Sequence, residues 1–272
     1  MRELDVAVDL ALRAGKKLAE LYNKRIIVEQ WHKIDRTNVT EADLAANKII
    51  LEGLEDKFPR PIILSGETFS PEEKARLKSD DVWLIDPLDG LYDFTHRTDD
   101  FSVIIAYTHK GQPIAAVMYL PIHDKLYTAK ALQGAYLTEK GVTRELHVSE
   151  RTMEEAVIAL SRKEFNAEKA DEIRQKMGMK SFIQTGSMGV KVGLIAEGKA
   201  DLYINSNSNA GEWDAAGPGL IIVEAGGRIS DYDGNILQYN KEDPYLRKGA
   251  ICSNGVVHDS ALEKVDEIFP LK

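Results

Sequence analysis

The sequence predicts an α/β layered sandwich, with layers of helix alternating with layers of sheet, on three observations. One apolar stripe runs along the first twenty residues, a series of short apolar strands fills the middle, and strand and helix then take turns to the C-terminus. In the stripe, Leu4, Ala7, Ala11, Ala14, Leu18 and Leu21 recur three and four apart, which predicts an amphipathic helix lying on a sheet. Thr40 opens T-E-A-D, a capping-box-like start with Asp43 in the first turn, and Leu44, Ile50, Leu51 and Leu54 continue it as a second helix. The texture then changes: Ile62 to Leu64 and Val82 to Ile85 are strand-like and each ends at an acid-bearing turn. Phe101 to Thr108, Ile114 to Leu120, Leu126 to Ala129 and Ala135 to Leu137 follow, parted by Gly111, Pro113, Pro121 and Gly134, and read as an antiparallel meander.

The second half alternates. Strands are predicted at Val157 to Leu160, Phe182 to Gln184, Ala200 to Ile204 and Ala250 to Cys252. Helices are predicted around Ala167 to Met177, from Ser187 to Glu197, from Asp214 to Ala225 before Gly226 and Gly227, and at the C-terminus. The division is residues 1–150, an α+β half, and 151–272, an α/β half, with a soft boundary near 145–155 and the two packed as one body. No repeat, low-complexity tract or linker interrupts them.

Composition narrows the function. With 43% hydrophobic and 29% charged residues, the chain has the balance of an ordinary globular protein. A net charge of −9 argues against a binder of nucleic-acid polymers through a broad basic surface, while leaving room for one cationic pocket. The lone Cys252 lies in an apolar stretch, reads as a buried thiol and fits a reducing cytoplasm. Acids interrupt the N-terminal apolar run, so neither a signal peptide nor a membrane span is expected.

The chemistry rests on acids. In W-L-I-D-P-L-D-G, residues 83–90, Pro87 fixes one torsion and Gly90 permits close backbone approach, so that Asp86 and Asp89 can point the same way. Convergent oxygens suit a hard divalent cation such as magnesium. Taken singly, each acid has a blander reading: D-P-x-D-G is an ordinary turn, Glu67 a loop glutamate, and Asp43 and Asp214 helix caps. Other hydrolytic centres are missing, since none of the six histidines forms an H-x-x-x-H pair and there is no C-x-x-C, P-loop or G-x-S-x-G elbow. Ser187 in G-S-M-G is therefore read as a helix cap or phosphate contact rather than a nucleophile.

The order of the motifs adds what no single acid carries. V-T-E-A-D (39–43), G-E (66–67), D-P-L-D-G (86–90), G-S-M-G-V-K (186–191) and W-D-A-A-G-P-G-L-I-I-V-E-A-G-G (213–227) together resemble the inositol monophosphatase superfamily, from about Lys33 to Asn254. The resemblance implies the inositol monophosphatase/fructose-1,6-bisphosphatase-like sandwich and a magnesium-dependent phosphomonoesterase with two or more Mg2+ per site. It implies Glu67, Asp86, Asp89, Asp214 and the Leu88 carbonyl as metal ligands, with Asp43 orienting the site and its water. Gly90 and Leu91 would receive the scissile phosphate at a helix start, with Ser187, Lys191 and Asp214 as further substrate contacts. The implied reaction is in-line attack by activated water between metals about 4 Å apart, with no covalent enzyme intermediate.

Two positions depart from the pattern. Where the family has threonine after D-P-x-D-G this chain has Leu91, which cannot supply the hydroxyl that orients the water. Glu67 is followed by Thr68 in place of a second acid, and Thr68 is the substitute partner for a water. Within the superfamily, residues 186–203 and 231–240 resemble the CysQ-type 3′(2′),5′-bisphosphate nucleotidases, whose ligand carries a second phosphate. Lys191 would meet it, the plainer alternative being a lysine on the helix surface. Trp31, Tyr92, Tyr203, Trp213 and Tyr232 offer stacking faces but are equally packing residues. The resemblance also implies lithium sensitivity and is compatible with a homodimer. Inositol monophosphatase, an impaired member that only binds its ligand, and a non-catalytic calcium chelator are the alternatives.

Overall fold

A computed structural model describes residues 2–24, 30–32, 38–70 and 74–272, with the backbone alone at 30–32, 38 and 39. Lys33, where the family pattern begins, and the side chain of Trp31 lie outside the described residues.

Helix α1 (Arg2–Asn23) buries Ala7, Leu10, Ala11, Ala14, Leu18 and Tyr22 along one stripe. A short ribbon, β1 (Gln30–His32) antiparallel to β2 (Asn38–Thr40), leads into α2 (Glu41–Lys57). Thr40 caps α2 by accepting from Asp43 N–H, and the Asp43 carboxylate returns the bond to Thr40 N–H at 2.9 Å, a complete capping box.

The first sheet follows as β3 (Ile63–Ser65), β4 (Asp81–Asp89), then, past the short helix α3 (Leu91–His96), β5 (Ser102–His109), β6 (Gln112–Leu120), β7 (Lys125–Lys130), β8 (Ala135–Glu139) and β9 (Val142–Glu145). Neighbours in sequence are neighbours in space throughout, but β3 pairs parallel to β4, so the antiparallel meander begins only at β4. The chain from β3 must cross back before re-entering, and the 3-10 turn Ala75–Lys78 lies in that return. Lys110–Gly111 and Lys140–Gly141 close two hairpins with φ of 50° and 73°, and 51° and 77°, the pair of left-handed residues that a tight two-residue turn needs. Strand β9 is exposed along its length, and so it carries no apolar signal in sequence.

The second half runs β10 (Val157–Ser161), α4 (Ala167–Met177), β11 (Ser181–Thr185), α5 (Met188–Ala196), β12 (Leu202–Asn205), α6 (Glu212–Glu224), β13 (Arg228–Ser230), β14 (Ala250–Ser253), α7 (His258–Leu262) and α8 (Val265–Ile268). Its sheet has the order β11-β10-β12-β14-β13, parallel in the first three and antiparallel at β14.

The layers alternate helix and sheet. α1 and α2 cover one face of the first sheet. α5 and α6 lie between the sheets, touching β5 and β4 to β7 on one side and β10, β12, β13 and β14 on the other. α4, α7 and α8 close the far face. The middle layer unites the halves, because Leu64, Val82 and Leu84 share a core cluster with Val192, Ala215, Tyr203 and Cys252. Cys252 is fully buried there, and burial pushes its thiol up to about 12. Among the described residues no helix is long and apolar enough to cross a membrane.

Candidate active site

Asp43, Glu67, Asp86, Asp89 and Asp214 line one cleft of about 320 Å³. Each arrives from a different local device. Asp43 is fixed by its capping box at the start of α2. Glu67 sits in the turn after β3, where Gly66 N–H donates to Ile85 O at 3.0 Å, Glu67 N–H meets Ser65 Oγ at 3.3 Å, and that hydroxyl donates to Asn47 Oδ1 on α2 at 2.7 Å. A side chain at Gly66 would begin 2.7 Å from Trp213 Nε1, so the missing Cβ lets the start of α6 approach the turn. Asp214, in the first turn of α6, accepts from Gly211 N–H at 2.8 Å.

Asp86 and Asp89 reach the cleft through a bulge rather than a turn. β4 runs on through Pro87 to Asp89, and its pairing with β5 shifts register between the two acids: Asp86 stands opposite Ile104 and Asp89 opposite Ser102. Residues two apart on β5 share a face, so the extra residue in β4 brings two acids three apart in sequence onto that same face. Gly90 then takes φ 97°, and a Cβ there would fall 2.8 Å from Asp100 O and 2.9 Å from Ser187 Cβ. Only glycine lets the chain turn into α3 at this spot.

The gathering of charge shows in the acids themselves. Asp86 is pushed well above the usual carboxylate range, first by burial and then by Asp214, Asp89 and Glu67, and its carboxyl is in hydrogen-bond contact with that of Asp214. Asp43 is raised to about 7, by burial and then by Glu67, against the bonds from Thr40. Among the described residues the cations lining the cleft are Lys163 and Lys191. Lys163 is exposed at the rim, and Lys191 is turned elsewhere.

Asp89 is turned elsewhere too. Its Oδ1 accepts from Met188 N–H at 3.0 Å, and its Oδ2 from Gly189 N–H at 2.7 Å, Ser187 Oγ at 2.6 Å and Ser102 Oγ at 2.9 Å. The carboxylate thus caps α5 from outside the helix, where the first N–H groups lack partners. Consistent with this, among the described residues no three acidic, imidazole or thiol groups stand close enough together to hold an ion as placed. By donor chemistry the set fits magnesium: every group is an oxygen, and the repulsion that raises Asp86 is what a hard cation relieves.

The remaining expected residues divide. Ser187 is the N-cap of α5, bonding Val190 N–H through Oγ at 3.0 Å, and holds φ 49° and ψ 148°, a region costing a side-chain-bearing residue about 1–3 kcal/mol. Leu88 lines the cleft and its N–H donates to Asp86 Oδ1 at 3.1 Å. Leu91 lines the cleft while also packing on the core beneath α1 and α2. Thr68 departs from expectation: it is exposed in the turn after β3 and is not among the residues lining the cleft. Lys191 lines the cleft but is 4% exposed, which removes the alternative of a surface lysine, and its ammonium donates to Gly186 O at 3.1 Å and to Ser187 O. Tyr203 lies beneath it, 4.8 Å from ammonium to ring centre. Of the other stacking candidates, Tyr92 and Trp213 line the cleft with Tyr203, and Tyr232 packs in the core behind the second sheet.

Sequence reasoning missed Asp93 and its partner Arg162. Asp93 is buried and accepts from Arg162 at 2.9 Å, and the same guanidinium reaches Asp100 at 2.8 Å. Burial works against the Asp100 charge, yet bonds from His123, Thr185, Arg162 and Gly186 N–H hold its carboxyl well below the usual range. This network braces the 185–187 loop against α3. Its only sequence signal was a pair of acids, Asp93 inside α3 and Asp100 after it, which carries no information about a partner so far along the chain.

The profile of the Inositol monophosphatase family matches residues 1–269. The 3′(2′),5′-bisphosphate nucleotidase CysQ of Haemophilus influenzae is 35% identical over 241 residues, 87% of this chain and 87% of that protein. The Escherichia coli protein of the same name is 32% identical over 246 residues, 90% and 97% of the two chains. Among solved structures, an IMPase of Thermotoga maritima superimposes with a TM-score of 0.80 at 26% identity, covering 98% of each chain. CysQ of Bacteroides thetaiotaomicron does so with 0.75 at 28% identity, covering 93% of this chain and 97% of that one.

Proposed function

Because this chain belongs to the inositol monophosphatase family, whose members are metal-dependent phosphatases, we propose that it is a magnesium-dependent 3′(2′),5′-bisphosphate nucleotidase releasing the 3′-phosphate of 3′-phosphoadenosine 5′-phosphate. The observation that carries the phosphatase reading is the convergence of Asp43, Glu67, Asp86, Asp89 and Asp214 on one cleft. Glu67, Asp86, Asp89, Asp214 and the Leu88 carbonyl would hold the magnesium, which when bound supplies positive charge at the phosphate oxygens and makes water a better nucleophile at neutral pH. The N–H groups of Gly90 and Leu91, at the start of α3, receive the phosphate. Asp43, clamped by Thr40 beside Glu67, orients the water that attacks opposite the leaving oxygen.

The nucleotide substrate is supported by similarity to proteins called 3′(2′),5′-bisphosphate nucleotidase at 32–35% identity. We assign Lys163, exposed on the rim with its ammonium 5.9 Å from the Tyr92 ring centre, in place of Lys191, as the cation that would meet a second phosphate entering the cleft. Inositol monophosphatase activity is the second reading, favoured by the overlay on the Thermotoga IMPase. One assay tests both: phosphate release from 3′-phosphoadenosine 5′-phosphate and from inositol 1-phosphate, with and without magnesium. Faster magnesium-dependent release from the nucleotide is expected. Preference for inositol 1-phosphate would transfer the reading to the second, and release from neither would mark a binding protein impaired at Leu91.

A further inference from the structure

We infer that Lys191 is a positioning residue: its ammonium locks the turn at Gly186 and Ser187 and, through one peptide plane, aims the Met188 N–H at Asp89, instead of gripping a second phosphate. The peptide joining Ser187 to Met188 is planar and trans, so its C=O and N–H point in opposite directions. Its carbonyl oxygen accepts from the Lys191 ammonium, and its N–H donates to Asp89 Oδ1 at 3.0 Å. A cation at one end and a carboxylate at the other both strengthen the bonds that this dipole makes.

The need for such a lock is visible in Ser187. Its φ of 49° is one that residues bearing a Cβ rarely adopt, and nothing in a helix start requires it. Gly186 O, at 3.1 Å from the same ammonium, fixes the preceding peptide as well, so both planes around the unfavourable residue are held. The turn cannot relax toward α3, because the Ser187 side chain fills the space a Cβ on Gly90 would take. It cannot relax toward β5 either, where Ser102 Oγ stands beside Ser187 Oγ at 3.4 Å. Burial of Lys191 disfavours its charge, against the pull of Asp89 and Asp93, which is a poor arrangement for a group meant to meet ligand from solvent.

The inference rests on the proposed phosphatase reading only for its kinetic arm. In Lys191→Met, magnesium affinity measured calorimetrically without substrate should weaken about tenfold, as when a group that orients a ligand is removed. Turnover should fall alike for 3′-phosphoadenosine 5′-phosphate and for adenosine 3′-phosphate, with KM little changed. Exchange of the Met188 amide in the metal-free protein, read by hydrogen–deuterium exchange, should speed up whichever substrate proves correct. Glycine adopts φ 49° freely, so adding Lys191→Met to a Ser187→Gly background should cost only a small part of the loss seen against serine, and this pair also serves if the single variant fails to fold. A raised KM confined to the bisphosphate, with magnesium affinity and Met188 exchange unchanged, would overturn the inference in favour of a phosphate contact. Equal losses in the serine and glycine backgrounds would overturn the lock.

Discussion

The carboxyl groups of Asp86, at the end of β4, and Asp214, in the first turn of α6, are in hydrogen-bond contact. Burial and the Asp214 charge together favour the protonated form of Asp86, and a proton taken up there competes with any metal. The two acids come from opposite halves of the chain, so the charge balance of the cleft is also a term in how the halves hold together.

Stability should therefore depend on pH in a way that magnesium alters. Asp43 is raised to about 7 and Asp86 stands well above its ordinary value, so the folded protein binds more protons than the unfolded chain from about pH 4 upward. Their stabilising effect is complete below the unfolded pKa and is lost as pH rises through the folded one. His258, clamped between Ser230 and Ser253 and pushed by burial to about 4, acts in the opposite sense, its contribution present above its unfolded pKa and lost on acidification. It does so equally with and without metal. The expected result is a gain in Tm from magnesium over EDTA that grows from pH 5.5 to pH 8. A gain independent of pH would show that the acids do not share their site with the ion.

Asp89→Asn separates folding from chemistry. Met188 and Gly189 N–H meet different carboxylate oxygens, so the amide can accept from only one of them, but the change also removes one charge from a repelling group, and Tm should fall by no more than several degrees. Metal-dependent phosphate release should fall by on the order of 10²-fold or more, because a neutral oxygen is a poor ligand for a hard cation. A fully active variant would contradict the role given to Asp89.

Leu91→Thr should raise turnover. The leucine lines the cleft where a hydroxyl would orient the attacking water, and the nearby Thr95 hydroxyl is already committed to Leu91 O and Tyr92 O, each at 3.0 Å. Restoring one positioned hydrogen bond is worth on the order of tenfold or more in rate. Because Leu91 also packs on the core beneath α1 and α2, the same change should cost roughly 1 kcal/mol of stability, seen as a lower Tm. Equal rates for parent and variant would remove Leu91 from the catalytic account.

Most of the fold was legible because its signals are local. Capping at Thr40, the left-handed glycine at 226 and the apolar stripe of α1 mark elements by residues only a few positions apart. What failed was non-local. The parallel entry of β3 depends on a return path that strand composition does not encode, and the bulge at Pro87 looks in sequence like a turn because both want the same residues. In the site, Asp86, Asp89 and Glu67 could be named from motif order, whereas the burial of Lys191, expected to meet a second phosphate, was not legible. Its surroundings, Tyr203 from β12 and the carbonyls of the 186–187 turn, come together only when α5 is sandwiched between two sheets.

Gly189→Ala tests how closely α5 must approach β4 and β5. The residue lies in a helix, has no left-handed torsion, and would on propensity alone gain about 1 kcal/mol from alanine. Space forbids it: the added Cβ would sit 2.4 Å from Ser102 Oγ, 2.7 Å from Met118 Sδ and 3.0 Å from Asp89 Oδ2. Ser102 can rotate and Met118 can bend, but both movements disturb the bonds that hold Asp89, so the carboxylate shifts with them. The helix should survive, with Tm lowered by no more than a few degrees, while magnesium affinity and turnover fall by about tenfold. Magnesium affinity equal to the parent's would mean that the contact between α5 and Asp89 serves packing alone.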